Sequence, residues 1–364
     1  MHPNQRKRLR DLEVVIGRLP TGKFNAITDV SGVWVGQTTI IRDQPHTART
    51  GVTVILPRSG RIHEDYCFAG FHRFNGVGEM TGLPYLEETG LLTAPIALTS
   101  TNHIGTAHSA LVRYGAQHFG SFTYKLPVVA ETYDGWLNEI NAFPLSESDV
   151  TAALEKASSG TVEEGNSGGG TGMICHDFKG GTGTSSRQVV VAGETYTVGA
   201  LVQANHGDRH LLRVDGVPVG RILDADRVPL PWHTPSESSS IIVILATDAP
   251  LHPLQCRKLA QRATVGLARA GGIGDDGSGD LFLAFSTGNS YPRGVEGPLP
   301  FRFLTHNQTG LLVEAAAEAV EEAILNALCM AETMTGYKGR KAHALPLDDL
   351  IEIMRAHRAS SIGR

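Results

Sequence analysis

The stretch Glu237-Ser238-Ser239-Ser240-Ile241-Ile242-Val243-Ile244-Leu245-Ala246-Thr247-Asp248-Ala249-Pro250 passes from a polar serine run directly into branched apolar residues and then a turn signal. It reads as an exposed loop ending on a buried strand, with Ser240 at the strand's first position. A cut before Ser240 would make this serine a new N-terminus, with hydroxyl and amine together at the mouth of a rigid sheet. Taken alone, a serine-rich loop meeting a strand explains the stretch equally well, so the rest of the chain decides its meaning.

The 364 residues, 41% hydrophobic and 19% charged, describe an ordinary folded chain with ample core. A net charge of −5 argues against nucleic acid or an anionic membrane as the main partner. Cys67, Cys175, Cys256 and Cys329 are far apart and form no C-x-x-C pair, which fits isolated buried thiols in a reducing compartment. The basic N-terminal segment is followed by no apolar signal core, and no apolar run approaches the length of a membrane span. A cytoplasmic protein is expected.

The first half is rich in strand signals, at 33–37, 51–56, 95–100 and 126–133, with a helix over about 105–114. Strands with helices between them predict a mixed α/β layered fold. The glycine-rich stretch Gly165-Asn166-Ser167-Gly168-Gly169-Gly170-Thr171-Gly172-Met173 encloses an apolar run, Met173-Ile174-Cys175, and so reads as tightly packed backbone rather than a linker. Strands follow at 188–191 and 196–203. Residues 209–235, with four prolines and little pattern, predict a long surface loop. Two long helices are predicted over 254–270 and 311–334, and a short one over 348–357. On the second, Glu314, Glu318, Glu321 and Glu322 read as a solvated stripe.

Several motifs fail. Gly17-Arg18-Leu19-Pro20-Thr21-Gly22-Lys23-Phe24 lacks the P-loop hydroxyl, and Gly76-Val77-Gly78-Glu79-Met80-Thr81-Gly82 has one residue too many for a dinucleotide fingerprint. There is no H-E-x-x-H, and the fifteen histidines are scattered. Chemistry without a metal or a cofactor is expected.

Four segments place reactive groups at predicted strand ends, where active sites lie in layered folds. They are Ser240 itself, Gly277-Ser278-Gly279-Asp280, Glu131-Thr132-Tyr133-Asp134-Gly135 and Gln203-Ala204-Asn205-His206-Gly207. In an extended segment Ser278 and Asp280 share a face, as do Glu131 and Tyr133.

Together with the glycine-rich stretch, these segments resemble the DmpA-type aminopeptidases, which include L-aminopeptidase/D-amidase-esterases and β-peptidyl aminopeptidases. The resemblance runs over residues 26–336. Its most specific parts are Ser-x-x-x-x-x-Ala-Thr-Asp-Ala-Pro from Ser240 to Pro250 and the Ser278-Gly279-Asp280 segment.

The resemblance implies a four-layer αββα sandwich like that of N-terminal-nucleophile hydrolases, with different strand connectivity. It implies a single catalytic domain over 1–364 that cleaves itself at Ser239–Ser240 into residues 1–239 and 240–364. Ser240 would then be the nucleophile, with Ser278 and Asp280 orienting it and relaying its proton. Tyr133 and Asn205 would donate to the oxyanion, and Glu131 would bind the free amino group of a short peptide, amino-acid amide or ester. Trp136 would wall the pocket or, equally, pack in the core. A homotetramer is implied as well. The sequence departs from the family pattern at Ser239, where glycine or asparagine is commoner, and at Asp280, where some members carry glutamate. Two alternatives stay open: an acyltransferase like ornithine acetyltransferase, and an unprocessed small-molecule-binding protein of the same fold.

Overall fold

The computed structural model describes residues 6–232 and 239–362. Glu237 and Ser238 of the serine run, the end of the 209–235 loop and the first five residues of the basic N-terminal segment lie outside the described residues.

In chain order the elements are β1 (Trp34–Arg42), β2 (Ala48–Leu56), β3 (Asp65–Arg73), α1 (Leu83–Thr89), β4 (Leu91–Leu92), β5 (Ile96–Ser100), α2 (Ile104–Phe119), β6 (Val128–Thr132), α3 (Glu147–Lys156), β7 (Ile174–Cys175) and β8 (Phe178–Lys179). Then come β9 (Gly181–Val191), β10 (Glu194–Asn205), α4 (Val219–Ile222), β11 (Ser239–Thr247), α5 (Pro253–Ala260), α6 (Ala263–Ala270), β12 (Ser278–Pro292), α7 (Gly310–Met330), β13 (Met334–Thr335), β14 (Lys341–Ala342) and α8 (Leu347–Ile362).

Among the described residues the two large sheets run β1-β2-β5-β6 and β4-β3-β12-β11-β10-β9, beside the small pairs β7-β8 and β13-β14. Strand alternation explains how they stack. Along β11, Ile242, Ile244 and Ala246 meet Ile55, Ile96, Leu98 and Ala130 of the other sheet in one apolar layer. Ile241, Val243 and Leu245 point the other way, into a layer with Leu259, Leu267, Ala316 and Val320 of the helices. A third layer packs Val54, Ala97 and Val129 against Ala107, Leu111 and Val150 of α2 and α3. The architecture is therefore the expected αββα sandwich. It also explains why the β11 sequence is continuously apolar: both of its faces are buried.

The glycine-rich stretch packs between the sheets, as expected. Gly168 has φ +55°, and a Cβ at Gly169 would overlap Gln203 Oε1 and stand 2.6 Å from Leu98 O.

Other expectations are corrected. The carboxylates of α7 are no solvated stripe, since Glu318, Glu321 and Glu322 are buried. The reason is Arg187 of β9, itself buried, which bonds Glu318 Oε2 at 2.9 Å and Glu322 Oε2 at 2.7 Å. Glu322 also binds Arg10 at 2.8 Å, so α7 is clamped to the N-terminal segment. The helix expected over 254–270 is two, α5 and α6, turning at Gln261 and Arg262. Both halves bury one face against the same core, so apolar periodicity does not register the turn. Within residues 209–232 the expected surface loop is anchored to the core, with Leu212, Val214, Val219 and Leu223 buried around Arg209, whose guanidinium bonds the Leu223 and Val228 carbonyls. Strand β3 and helix α3 carried no clear sequence signal.

Candidate active site

Ser240 is the second residue of β11, one later than expected, because pairing begins at Ser239. Antiparallel β10 sets Asn205 opposite Ser240, and parallel β12 sets Gly279 beside it. The Ser240 hydroxyl is only 5% exposed by residue and accepts the Gly279 N–H at 3.1 Å.

The same register places Ser278 beside Ser239 and Asp280 beside Ile241. Ser278 Oγ donates to Asp280 Oδ1 at 2.6 Å, so the expected pairing of hydroxyl and carboxylate is present. Asn75 Nδ2 donates to the other oxygen, Oδ2, at 3.2 Å. Burial pushes the Asp280 carboxyl up, against the pull of these two hydrogen bonds.

Alternation separates the faces. Asp280 shares its face with Phe282 and Ala284, toward the helices, whereas Ser240 shares its face with Ile242, toward the other sheet. The Ser278–Asp280 pair thus stands on the opposite face of the sheet from the Ser240 hydroxyl, with the Asp280 carboxylate accepting a hydrogen bond from the Ile241 backbone.

Asn205 is held at both ends of its amide. Its Oδ1 accepts the Ile174 N–H at 2.8 Å, and its Nδ2 donates to the Tyr133 carbonyl at 3.1 Å. An amide nitrogen has two hydrogens, so one donor is left over beside Ser240. Tyr133 lies just beyond β6 and is 41% exposed.

Glu131 sits near the end of β6 on the other sheet and is buried. Its Oε1 accepts the Glu79 N–H at 3.0 Å, and its Oε2 accepts the Thr101 hydroxyl. Burial raises its pKa, opposed by both hydrogen bonds. The segment set aside as a nucleotide fingerprint joins the two halves of the site. A Cβ at Gly78 would stand 3.0 Å from Gly279 Cα and 3.2 Å from Glu131 Oε1, so a side chain there would press on both halves. Trp136 is half-buried, crosses Trp232 edge to face at 5.5 Å and carries the Arg340 guanidinium 4.0 Å over its ring.

The structure thus brings Ser240, Asn205, Ser278 and Asp280 together on three adjoining strands, with Tyr133 tied to Asn205. Asn75, Thr101 and Gly78 are additions that sequence reasoning missed. Asn75 lies about two hundred residues before Asp280 in a turn, and no local pattern marks it.

A serine at the head of a central strand in an αββα sandwich, flanked by an amide donor and a hydroxyl–carboxylate pair, defines a hydrolase of the N-terminal-nucleophile type. The chain belongs to peptidase family S58, whose model matches residues 25–342, and it is a serine aminopeptidase. It is 43% identical over 368 residues to the β-peptidyl aminopeptidase BapA of Sphingosinicella microcystinivorans, covering 96% of this chain and 92% of that protein. Among solved structures, a β-aminopeptidase of a Burkholderia species superposes with a TM-score of 0.90 at 48% identity, covering 96% of this chain and 99% of that one. The L-aminopeptidase D-Ala-esterase/amidase of Ochrobactrum anthropi, described as a prototype of the serine aminopeptidases and a variant of the Ntn hydrolase fold, superposes with a TM-score of 0.89 at 43% identity, covering 96% and 98%.

Proposed function

We propose that this chain processes itself at Ser239–Ser240 and that the freed Ser240 is the nucleophile of an aminopeptidase acting on short peptides, amino-acid amides and esters. The observation that carries the reading is the register of β11, with Ser240 between Asn205 and Gly279 and the hydrogen-bonded Ser278–Asp280 pair flanking Gly279 on the adjoining strand.

In processing, Ser240 Oγ attacks the Ser239 carbonyl and the peptide nitrogen leaves as the Ser240 amine. Water then hydrolyses the resulting ester. The new α-amine has a reference pKa of about 7.7–8.0, so a useful fraction is neutral near pH 7 and serves as the base. Ser278 and Asp280 orient that amine and stabilise its proton. In catalysis Ser240 Oγ attacks the first peptide carbonyl of the substrate, the remainder leaves as an amine, and water releases the acyl group. The spare Asn205 hydrogen and the Tyr133 hydroxyl donate to the oxyanion. Glu131 holds the substrate's ammonium group, which restricts the enzyme to chain ends. Trp136 lines the same mouth.

The products 1–239 and 240–364 form one catalytic domain, because β11 and β12 of the second are inserted between β3 and β10 of the first. Identity to two β-peptidyl aminopeptidases of Sphingosinicella, at 43% and 42%, favours β-amino-acid residues at the substrate's N-terminus. A homotetramer in the cytoplasm completes the reading; the location is supported by four cysteines that are all buried and unpaired.

Mass spectrometry of purified protein tests it. Two chains of 239 and 125 residues are expected, and a single intact, inactive chain for Ser240→Ala. Hydrolysis by Ser240→Ala would overturn the proposal.

A further inference from the structure

Beside Asn205 lies a second cluster that the proposed reaction does not use. Strand β7 runs along the end of β10: Ile174 N–H holds Asn205 Oδ1, and His176 N–H bonds the His206 carbonyl at 2.7 Å. This brings Cys175, His176 and His206 together, all buried, with one ligand atom of each lying within 4.8 Å of the others. Cys175 Sγ is 3.8 Å from His206 Nδ1 and 4.0 Å from its Nε2, and the two imidazoles cross edge to face at 5.1 Å.

The hydrogen bonds fix one tautomer. His176 Nδ1 lies 3.0 Å from the Asp208 carbonyl, which can only accept, so Nδ1 carries the hydrogen and Nε2 presents a bare lone pair. Among the described residues that buried Nε2 has no hydrogen-bond partner, and the ring nitrogens of His206 have only the sulfur within reach. Buried lone pairs without a partner cost free energy. A ring N–H donated to a backbone carbonyl, with the other nitrogen free, is the arrangement that metal-binding histidines adopt.

We propose that Cys175 Sγ, His176 Nε2 and a ring nitrogen of His206 form a three-ligand site for a soft monovalent cation, copper(I). A thiolate with two imidazoles suits copper among the available metals. Charge favours the monovalent ion: copper(I) and a thiolate are neutral together, whereas a divalent ion and a thiolate would leave one positive charge at this fully buried site. Binding replaces the thiol hydrogen: the S–H bond breaks, an S–Cu bond forms, and one proton leaves to solvent without any redox change. His206 also lines a small pocket with Ser239, Ser278 and Asp280.

The proposal does not rest on the aminopeptidase reading, and its test is a binding measurement. Purified full-length protein is titrated anaerobically with copper(I) against a chromophoric chelator, and X-ray absorption is recorded on the loaded protein. One equivalent per chain is expected, with one sulfur and two nitrogen neighbours and one proton released. Cys175→Ala and His176→Phe should each lose that equivalent, while Cys329→Ala should keep it. No bound equivalent, a shell of two sulfurs, retention by Cys175→Ala, or preferential uptake of zinc would each overturn it. The absorption spectrum of the unsubstituted protein decides the question even if a variant fails to fold.

Discussion

Replacing Asn205 with alanine separates a catalytic role from a structural one, because its amide makes two internal hydrogen bonds and keeps one donor for the reaction. Loss of an oxyanion donor costs about 3–4 kcal/mol of barrier, or roughly 10²–10³ in kcat, with little change in KM. Stability falls too, since the buried Ile174 N–H loses its acceptor, at about 1–3 kcal/mol. Asn205→Asp resolves the two effects. It keeps an oxygen for the Ile174 N–H, so that part of the stability returns, but it removes both donors and sets an anion where the oxyanion must form. Its kcat should therefore be no higher than that of the alanine variant. The assay is steady-state hydrolysis of aminoacyl p-nitroanilides by the two-chain form, with self-cleavage followed separately by mass spectrometry and stability by thermal unfolding. A kcat for Asn205→Ala within tenfold of wild type, together with a lowered Tm, would refute the oxyanion assignment and leave Asn205 as a strut.

Glu131→Gln should raise KM by about 10- to 150-fold with a smaller effect on kcat, the weight of hydrogen bonds to a charged partner. Because burial raises the Glu131 pKa, the ionised form is lost as pH falls, and the acid limb of kcat/KM should lie above the usual carboxylate range and change in this variant. Asn75→Ala removes the second hydrogen bond to Asp280; kcat should drop about tenfold, and the Asp280 pKa should move further up, shifting the kcat profile toward higher pH. Arg187→Met leaves Glu318 and Glu322 buried without their shared partner and should destabilise the fold by about 3–5 kcal/mol in denaturant unfolding; an unchanged midpoint would refute the role of Arg187 as their clamp.

Legibility in the sequence followed the range of the interactions. The 240–250 stretch carried its own signal, since a polar run ending on unbroken apolar residues is what a strand buried on both faces looks like. The Ser278-x-Asp280 pair was readable because strand periodicity alone puts residues two apart on one side, and their hydrogen bond follows. The same reasoning failed for Glu318, Glu321 and Glu322. Helical periodicity shows that they share a face, but only the distant cations, Arg187 on β9 for Glu318 and Glu322 and Arg269 on α6 for Glu321, let that face be an interior one. It was equally blind to the turn between α5 and α6, to Asn75, and to the meeting of His206 with Cys175 thirty-one residues earlier.

The sequence by itself determined the layered class, the glycine-rich packing and the identities of the hydroxyls, carboxylates and amide of the proposed site, because strand ends and side-chain chemistry are read locally. Only the tertiary structure decided their mutual geometry. The parallel register of β11 on β12 sets Ser278 beside Ser239 and Asp280 beside Ile241, on the opposite face from the Ser240 hydroxyl. That choice depends on which strands adjoin and on the pleat they share, and strand pairing is a long-range property that no single segment encodes.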